Sequence, residues 1–366
     1  MQWLNDSSLR GKRVLLRADF NVPLKENGEV TDDFRIRATL PTMQYILAQG
    51  AKLVVMSHLG DPEGVYDERL SMRRVKEKLT EHLQVAVEVA RDCIGKEIEE
   101  KTKNMKEGEV LLLENLRFHK EEEENDRSFS EALAKFGDVY VLDAFGVLHR
   151  EHASLVGVPK ILPSFGGLLL KKEIEGLQKL LENPLHPMIA VVGGRKIESK
   201  LPVIDRIAGL ADEVLLGNLL ANEITSKKIS LERKEKIVFP SDGIPPGKEY
   251  DIGPETQKLY QEKVRGAKTV FWSGPLGKYE EVGYAEGSKI VAEAILEDTS
   301  YAVAGGGNLL DFLGRYNLRH KFDHLSTGGS SMLAFLAGER LPGLESLGYY
   351  DHTVSPDPPS FQNPRF

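Results

Sequence analysis

Short apolar runs alternate with amphipathic segments along the chain, and this alternation constrains the fold more than any other feature. In the first half, buried strands are predicted at residues 14–16, 53–56, 110–113 and 139–142, with helices at 39–48, 72–83 and 128–136. In the second half, strands are predicted at 189–192, 213–216, 269–272 and 302–304, with helices at 201–210, 285–296 and 310–316. Short buried strands separated by helices are typical of parallel sheets covered on both faces. Two such sets predict two doubly wound, Rossmann-like α/β domains with a cleft between them.

The length of 366 residues also indicates two domains, because single domains average roughly 100–150 residues. The break is predicted near Pro163-Ser164-Phe165-Gly166-Gly167, just before a helical segment that would join the domains. We therefore expect an N-terminal domain at 1–165, an interdomain helix at 166–182 and a C-terminal domain at 183–345. The tail at 346–366 is rich in proline and would pack on the N-terminal domain.

Charge and cysteine content narrow the classes of function. Lys and Arg number 48 against 56 Asp and Glu, and the net charge of −8 disfavours nucleic acid as the main partner. The single cysteine, Cys93, excludes an internal disulfide framework and is interpreted as a structural thiol in a reducing compartment. No membrane span or signal peptide is recognisable, so a cytoplasmic protein is expected. The charged run at 120–124 is interpreted as solvated helix surface.

In the first half, basic side chains occur where successive predicted strands end. Parallel strands bring their carboxyl ends to one edge of a sheet, where ligands of open α/β sheets bind. This edge would collect Arg17, His58, Arg117 and Arg150, with Arg35 beside them. Clustered arginines on an acidic protein indicate an anionic ligand, because the guanidinium fork suits carboxylate and phosphate. Asp19 and Asn21 would bind a hydroxyl group, whereas a surface ion pair is the alternative for any single arginine.

In the second half, three predicted strands break into glycines. They are followed by Gly193-Gly194-Arg195-Lys196 with Lys200, by Gly274-Pro275-Leu276-Gly277 with Glu280, and by Gly305-Gly306-Gly307-Asn308 before a helix. Glycines let the backbone approach a phosphate, lysines neutralise it, and a helix N-terminus offers free N–H groups. Each motif alone is as well explained by a tight turn, and neither a P-loop nor a complete GxGxxG fingerprint is present. Together they predict a nucleotide site, with Glu280 accepting from a ribose hydroxyl.

The order of these motifs resembles that of the phosphoglycerate kinase family from about residue 12 to 345. The matching stretches in the first half are Arg17-Ala18-Asp19-Phe20-Asn21-Val22-Pro23-Leu24, Asp33-Phe34-Arg35, Ser57-His58-Leu59-Gly60, Glu114-Asn115-Leu116-Arg117-Phe118, Asp143-Ala144-Phe145-Gly146 and His149-Arg150. Those in the second half are Gly193-Gly194 with Lys196 and Lys200, Asp251-Ile252-Gly253-Pro254, Trp272 with Gly274-Pro275, Gly305-Gly306-Gly307 and Ser326-Thr327-Gly328-Gly329.

The resemblance implies a two-lobed kinase that moves a phosphoryl group between 1,3-bisphosphoglycerate and ADP in glycolysis, with lobes that close over the reactants. The implied glycerate-binding residues are Asp19, Asn21, Arg35, His58, Arg117 and Arg150. ATP or ADP with Mg²⁺ would bind to Gly193, Gly194, Lys196, Lys200, Gly217, Pro275, Gly277, Glu280, Gly305, Gly307 and Asn308. The implied catalytic residues are Arg35, Lys196, Gly306 and Gly307, and Asn308 is the implied metal ligand. The family expectation is a cytoplasmic monomer that acts on small molecules, not on nucleic acid or membranes.

The chain departs from the family pattern inside both predicted sites. Asp61 stands where the family has an arginine for the substrate phosphate, and Asn308 stands where it has a metal-binding aspartate. Leu309 replaces a hydroxyl residue, Arg195 a small residue and Asn218 a glycine. Two alternatives therefore stay open beside a working phosphoglycerate kinase. One is a paralogous kinase for another small carboxylic acid, and the other is a catalytically impaired relative retained for binding.

Overall fold

The chain forms two compact units in a computed structural model that describes residues 1–6, 8–195, 197–299 and 301–351. The first unit comprises Met1–Lys172 with the described residues from Arg340 to Asp351, and the second comprises Glu173–Glu339. Each unit is built on a parallel sheet, which confirms the predicted fold class. The predicted site residue Lys196 and the tail from residue 352 onward lie outside the described residues.

The sheet of the first unit has six parallel strands in the order β3-β4-β2-β1-β5-β6. They are β1 (Arg13–Ala18), β2 (Lys52–Met56), β3 (Val87–Val89), β4 (Val110–Leu112), β5 (Val139–Asp143) and β6 (Ser164–Gly166). The central strands β1, β2, β4 and β5 are almost entirely buried, as expected of a sheet covered on both faces. Because the strands are parallel, the residues that follow them meet at one edge.

The second unit repeats this plan with a six-stranded parallel sheet in the order β14-β13-β12-β7-β8-β9, and a two-stranded antiparallel ribbon, β10-β11, accompanies it. The strands are β7 (Met188–Val192), β8 (Glu213–Leu216), β9 (Ile237–Val238), β10 (Gly243–Ile244), β11 (Asp251–Ile252), β12 (Thr269–Ser273), β13 (Tyr301–Gly305) and β14 (His324–Ser326). Strands β7, β12 and β13 are fully buried and adjacent, and each is followed by glycine.

Helices connect the strands and bury their apolar stripes against the sheets. They are α1 (Phe34–Ala48), α2 (Arg73–Leu83), α3 (Lys96–Asn104), α4 (Lys120–Glu123), α5 (Arg127–Ala134), α6 (Leu168–Glu182), α7 (Ile197–Leu210), α8 (Asn218–Ser226), α9 (Pro254–Val264), α10 (Glu286–Asp298), α11 (Gly307–Arg315), α12 (Ser330–Ala337) and α13 (Pro342–Ser346). In α1, for example, Ile36, Met43 and Ile46 pack into the same core as β1 and β2. None of the described helices is long and apolar enough to cross a membrane.

The segments around the predicted domain break have regular structure. Ser164–Gly166 forms the edge strand β6, paired with β5, and α6 carries the chain from one unit into the other, the division falling between Lys172 and Glu173. At the other end of the first unit, Ser346 Oγ donates to the carbonyl oxygen of Leu155 at 2.9 Å.

The interpretation of residues 120–124 as solvated surface is wrong for Glu122. Its side chain is completely buried and accepts hydrogen bonds from the backbone N–H and the hydroxyl of Ser154, at 2.9 and 2.5 Å. A run of four glutamates carries no periodic apolar signal, so the sequence pattern could not mark the one that turns inward.

Candidate functional site

The first candidate site lies at the edge of the first unit where strands β1, β2, β4 and β5 end. Asp19 is buried there, and its Oδ2 is 2.6 Å from Nη1 of Arg35, which lies in the first turn of α1. Burial alone would raise the pKa of Asp19, but the charge of Arg35 and the neighbouring groups outweigh it and lower that pKa. The ionised carboxylate holds Arg35 at the edge, while 25% of the arginine side chain remains exposed.

The backbone of Gly60 forms hydrogen bonds with two further predicted site residues, Asn21 and Arg117. The side-chain oxygen of Asn21 accepts from the N–H of Gly60 at 2.9 Å, and Nη1 of Arg117 donates to the Gly60 carbonyl at 3.1 Å. Nε of Arg117 is buried and has no hydrogen-bond partner in the described part of the chain, although Glu123 Oε1 lies 3.2 Å away. A buried donor without an acceptor costs free energy. An anionic ligand with a well-placed acceptor would satisfy this donor, in competition with the Glu123 carboxylate.

Asp61, which stands where the family pattern has an arginine, lies close to Arg117. Asp61 Oδ1 lies 3.6 Å from Arg117 Nη1, and the aspartate side chain is 69% exposed. The site thus lacks a cation at this position and also carries a carboxylate that offsets part of the Arg117 charge. Because Asp61 is exposed, we expect this effect to be modest.

Burial and the charges of the neighbouring arginines lower the pKa values of two histidines at this edge. Burial, and then the charges of Arg150 and Arg117, lowers the pKa of His149 to about 4. Burial, and then chiefly the charge of Arg117, lowers the pKa of His152 to about 3. Both rings are uncharged at neutral pH, so the positive charge of this edge comes from the arginines. Arg150 itself is exposed, beyond the end of β5.

Arg17 lies in the protein interior, contrary to the prediction that it lines the anion site. Its guanidinium is buried, donates from Nε to Ser154 Oγ at 2.8 Å and bonds to the Ala18 carbonyl. Nη2 lies 3.3 Å from Nδ1 of His58. Burial is the main cause that lowers the pKa of His58 well below its usual range. Since an arginine only donates, Nδ1 of the neutral His58 ring accepts and the proton resides on Nε2. Arg17 is thus a positioning residue for His58.

The second candidate site lies in the second unit, where the loops after β7 and β12 cross. The N–H of Gly193 donates to the Ser273 carbonyl at 3.0 Å, and the N–H of Gly194 donates to the Pro275 carbonyl at 2.9 Å. A side chain at Gly193 would collide with the Pro275 carbonyl, and Gly274 has a φ of +84°. The tight-turn interpretation therefore accounts for the glycine at 193, which lets two backbones touch.

A cavity of about 560 Å³ opens beside this crossing, and several predicted nucleotide residues line it. These are Gly194, Lys200, Pro275, Gly277, Glu280, Gly306, Gly307 and Asn308. Gly217 and Gly305 are not in this lining. A Cβ at Gly217 would lie 3.1 Å from the Leu276 carbonyl, and one at Gly305 would collide with Sδ of Met332. These two glycines therefore bring supporting loops together.

Lys200 is a buried cation of the cavity wall, which Arg195 and Lys278 also line. Only 7% of Lys200 is exposed, and its Nζ donates to the carbonyl and the hydroxyl of Ser273, both at 3.0 Å. Burial lowers the pKa of Lys200 to about 8. Among the described residues, no carboxylate pairs with it. The sequence did not identify Ser273 as the residue that orients Lys200. This serine directly precedes the Gly274-Pro275 motif.

The N-terminus of α11 faces the same cavity. Gly306 caps the helix with a φ of +103°, and a Cβ at Gly307 would meet no atom within 4 Å. The free N–H groups of this first turn can therefore receive a phosphate. Asn308 is exposed beside them, whereas Leu309 is fully buried in the core with Phe312. The substitution at Leu309 thus serves core packing.

Asn218 also has a structural role. Its side chain is buried, and Nδ2 donates to the carbonyls of Asp242 and Asp251, at 3.2 and 2.7 Å. It ties the first turn of α8 to the β10-β11 ribbon. Asp251 in turn accepts from the Gly287 N–H at 2.8 Å, and burial raises the pKa of its carboxyl to about 6.

Comparison with known proteins gives a consistent result. A family model described as phosphoglycerate kinase matches residues 4–230 and 219–339. The phosphoglycerate kinase of Dictyoglomus turgidum is 41% identical over 94% of this chain and 97% of that protein, and that of Pelotomaculum thermopropionicum is 40% identical over 94% and 98%. The crystal structure of phosphoglycerate kinase from Pyrococcus horikoshii matches with a TM-score of 0.86 and 33% identity, covering 96% of this chain and all of that one. None of these similarities favours either alternative drawn from the sequence.

Proposed function

The chain belongs to the phosphoglycerate kinase family, and we propose that its two units divide the reactants of that phosphotransferase reaction between them. The first unit would bind 3-phosphoglycerate or 1,3-bisphosphoglycerate, and the second would bind ATP or ADP. The observation that carries this assignment is Lys200, a buried cation without an ion-pair partner in the described cavity wall. Such a group is stabilised by an anion, and the open first turn of α11 on the same cavity suits phosphate.

In the first unit, the arginines would bind the carboxylate and phosphate of the glycerate. Arg35 and Arg117 are held on one side by the protein and keep further donor capacity. Arg150 would add charge from the neighbouring strand end. Asp19 and Asn21 would accept from the substrate hydroxyl, and the Nε2–H of neutral His58 would donate to a substrate oxygen.

The chemistry needs charge neutralisation more than a proton shuttle. In the direction of ATP consumption, a carboxylate oxygen of 3-phosphoglycerate attacks the γ-phosphorus, and the bond from that phosphorus to the β,γ-bridging oxygen breaks. The nucleophile is already ionised, so no general base is required. Arg35, the N–H groups at Gly306 and Gly307, and Lys196 on sequence grounds, would stabilise the charge on the moving group. Because the reactants bind to different units, transfer requires these units to close and exclude water.

Mg²⁺ would reach this cavity with the nucleotide. It prefers oxygen ligands and keeps phosphate and water oxygens around it, so a single protein oxygen from the exposed Asn308 fits a weak site. Bound there, the ion would neutralise phosphate charge. We further propose that the protein is a cytoplasmic monomer; sedimentation velocity of the purified chain tests the monomer.

Asn308→Asp should lower the Mg²⁺ concentration needed for half-maximal activity, by about fivefold or more, because a unit charge near 4 Å is worth about 1 kcal/mol even in water. The measurement is a Mg²⁺ titration of initial rate at fixed ATP. Ser330→Asp, which adds a carboxylate elsewhere on the same cavity wall, is the matched control and should leave the titration unchanged. Equal shifts in both variants would contradict the assignment of Asn308.

Asp61→Arg should lower KM for 3-phosphoglycerate, since it removes the carboxylate near Arg117 and adds a cation. Exposed ion pairs are worth about 0.2–1 kcal/mol, so each unit of charge should change KM by about two- to fivefold at most. Steady-state kinetics of Asp61→Asn and Asp61→Arg test this as a graded series. An unchanged or higher KM in both would mean that Asp61 lies away from the substrate phosphate.

A coupled assay tests the proposed function itself. With 3-phosphoglycerate and MgATP, formation of the acyl phosphate is followed by coupled NADH oxidation. We expect saturable turnover that requires both substrates, and far less turnover with glycerate or 2-phosphoglycerate at equal concentration. A clear preference for another acid would replace the proposed substrate.

A further inference from the structure

Three side chains outside both candidate sites place an oxygen, a sulfur and a nitrogen ligand atom close together. They belong to Asp92, Cys93 and His119, and these atoms all lie within 4.8 Å of one another. Asp92 and Cys93 follow strand β3, and His119 lies beyond the end of β4, the parallel strand next to it. The sheet that builds the arginine edge thus also assembles this cluster.

The cluster is open on one side and closed on the other. His119 Nε2 lies 2.7 Å from Asp92 Oδ1, and the same oxygen accepts from the N–H of Cys93 at 2.6 Å. The Asp92 side chain is 50% exposed and that of His119 is 25% exposed, whereas Cys93 is completely buried. The carboxylate and the imidazole are therefore accessible from solvent, whereas the thiol belongs to a buried side chain.

The surroundings of the sulfur are acidic. Burial, and then the negative charges of Asp92, Glu122 and Glu114, raises the pKa of the Cys93 thiol well above its usual range. The hydrogen bond with Asp92 is the largest cause that raises the pKa of His119.

We propose that Asp92, Cys93 and His119 form a binding site for a zinc-type divalent cation, with water as the fourth ligand. Thiolate and imidazole select Zn²⁺ or Co²⁺ over Mg²⁺ and Ca²⁺, which prefer oxygen. In a tetrahedral zinc site, bond lengths of about 2.0–2.3 Å place the ligand atoms about 3.5 Å apart. Side-chain rotations would open the 2.7 Å spacing between His119 and Asp92 and bring the remaining ligand atoms, now within 4.8 Å, to that value. On binding, the metal replaces the Cys93 thiol proton, which passes to solvent, and the imidazole of His119 binds in its neutral form.

Metal titration of the chelator-stripped, full-length protein tests the site. Zn²⁺ affinity is measured in competition with a chromophoric chelator, and Co²⁺ is added separately to detect the thiolate-to-cobalt charge-transfer band. We expect one tight site in the unmodified protein. Cys93→Ala and His119→Gln should each weaken Zn²⁺ binding by at least about tenfold, and Cys93→Ala should abolish the charge-transfer band.

The chain supplies a matched control in His82, whose Nε2 lies 2.8 Å from Asp33 Oδ2 without a cysteine ligand in that pair. His82→Gln removes an equivalent histidine–carboxylate pair and should leave Zn²⁺ binding unchanged. Should Cys93→Ala fail to fold, the partly exposed His119→Gln and the cobalt spectrum still decide the question. No charge-transfer band in the unmodified protein, or a Zn²⁺ affinity that His119→Gln does not change, would overturn the proposal.

Discussion

Replacing Lys200 with methionine is expected to lower kcat/KM for MgATP by about 10²–10³-fold. Loss of one preorganised group that faces developing charge typically costs this much, and Lys200 is held by two hydrogen bonds to Ser273 with no ion-pair partner in the described structure. Methionine keeps most of the buried volume, so the fold should be retained. Steady-state kinetics with varied MgATP, checked by thermal unfolding, measure the effect.

Lys278→Met is the matched control for this result. Lys278 lines the same cavity, but its Nζ lies 3.4 Å from the ring centroid of Tyr250 and 3.5 Å from Glu281. The Tyr250 ring and Glu281 already stabilise the charge of Lys278, so Lys278→Met should change kcat/KM by no more than about threefold. The pH dependence supplies a second readout: because the pKa of free Lys200 is about 8, ADP affinity should fall as pH rises through that value. Persistence of this dependence in Lys200→Met would assign it to another group.

Arg35→Met is expected to have the second large effect, a fall in kcat of about 10²–10³-fold in the direction of ATP consumption. Arg35 is proposed to face the transferring phosphoryl group, and Asp19 fixes its position through Nη1. The substitution also leaves the buried Asp19 carboxylate without its partner, which lowers stability. Arg35→Lys separates the two effects, because it keeps a cation near Asp19 but loses the fork. We expect it to restore stability and only part of the rate.

Arg37→Met controls for loss of an arginine from the same helix. Arg37 is 52% exposed and pairs with Asp33 one turn away, on the surface of α1. Its replacement should leave kcat within about twofold, as expected for an exposed pair. If Arg35→Met and Arg37→Met reduced kcat equally, a general loss of helix stability would explain both, and the catalytic assignment of Arg35 would be wrong.

The parallel sheets could be predicted because their signal is local. Residues 53–56 and 139–142 are short, apolar and bounded by polar residues, and both are central strands of the first sheet. Strands β3 and β9 escaped prediction, since Val87–Val89 and Ile237–Val238 are too short to give a pattern. The run at 163–167 has glycines that indicate a loop, yet pairing with β5 makes part of it a strand.

The candidate sites were predictable to the extent that position after a strand decides what meets at a sheet edge. Asn21 and Arg117 lie far apart in the chain, and the parallel topology brings both to Gly60. Orientation was not predictable in the same way. Arg17 and Glu122 turn inward and meet at Ser154, because a buried network there satisfies both charges. Nothing in the local pattern distinguishes these two residues from exposed ones.

Calorimetric binding of each reactant to three proteins tests the central claim, that the units divide the reactants. The unmodified protein, Arg35→Met and Lys200→Met are each titrated with 3-phosphoglycerate and with ADP. Arg35→Met should weaken 3-phosphoglycerate binding by about tenfold or more, as expected for a lost charged hydrogen bond, and leave ADP within about twofold. Lys200→Met should weaken ADP binding by about tenfold or more and leave 3-phosphoglycerate binding within about twofold. Weaker binding of both ligands in one folded variant would contradict the account. So would an Arg35→Met variant that loses affinity for ADP and keeps its affinity for 3-phosphoglycerate.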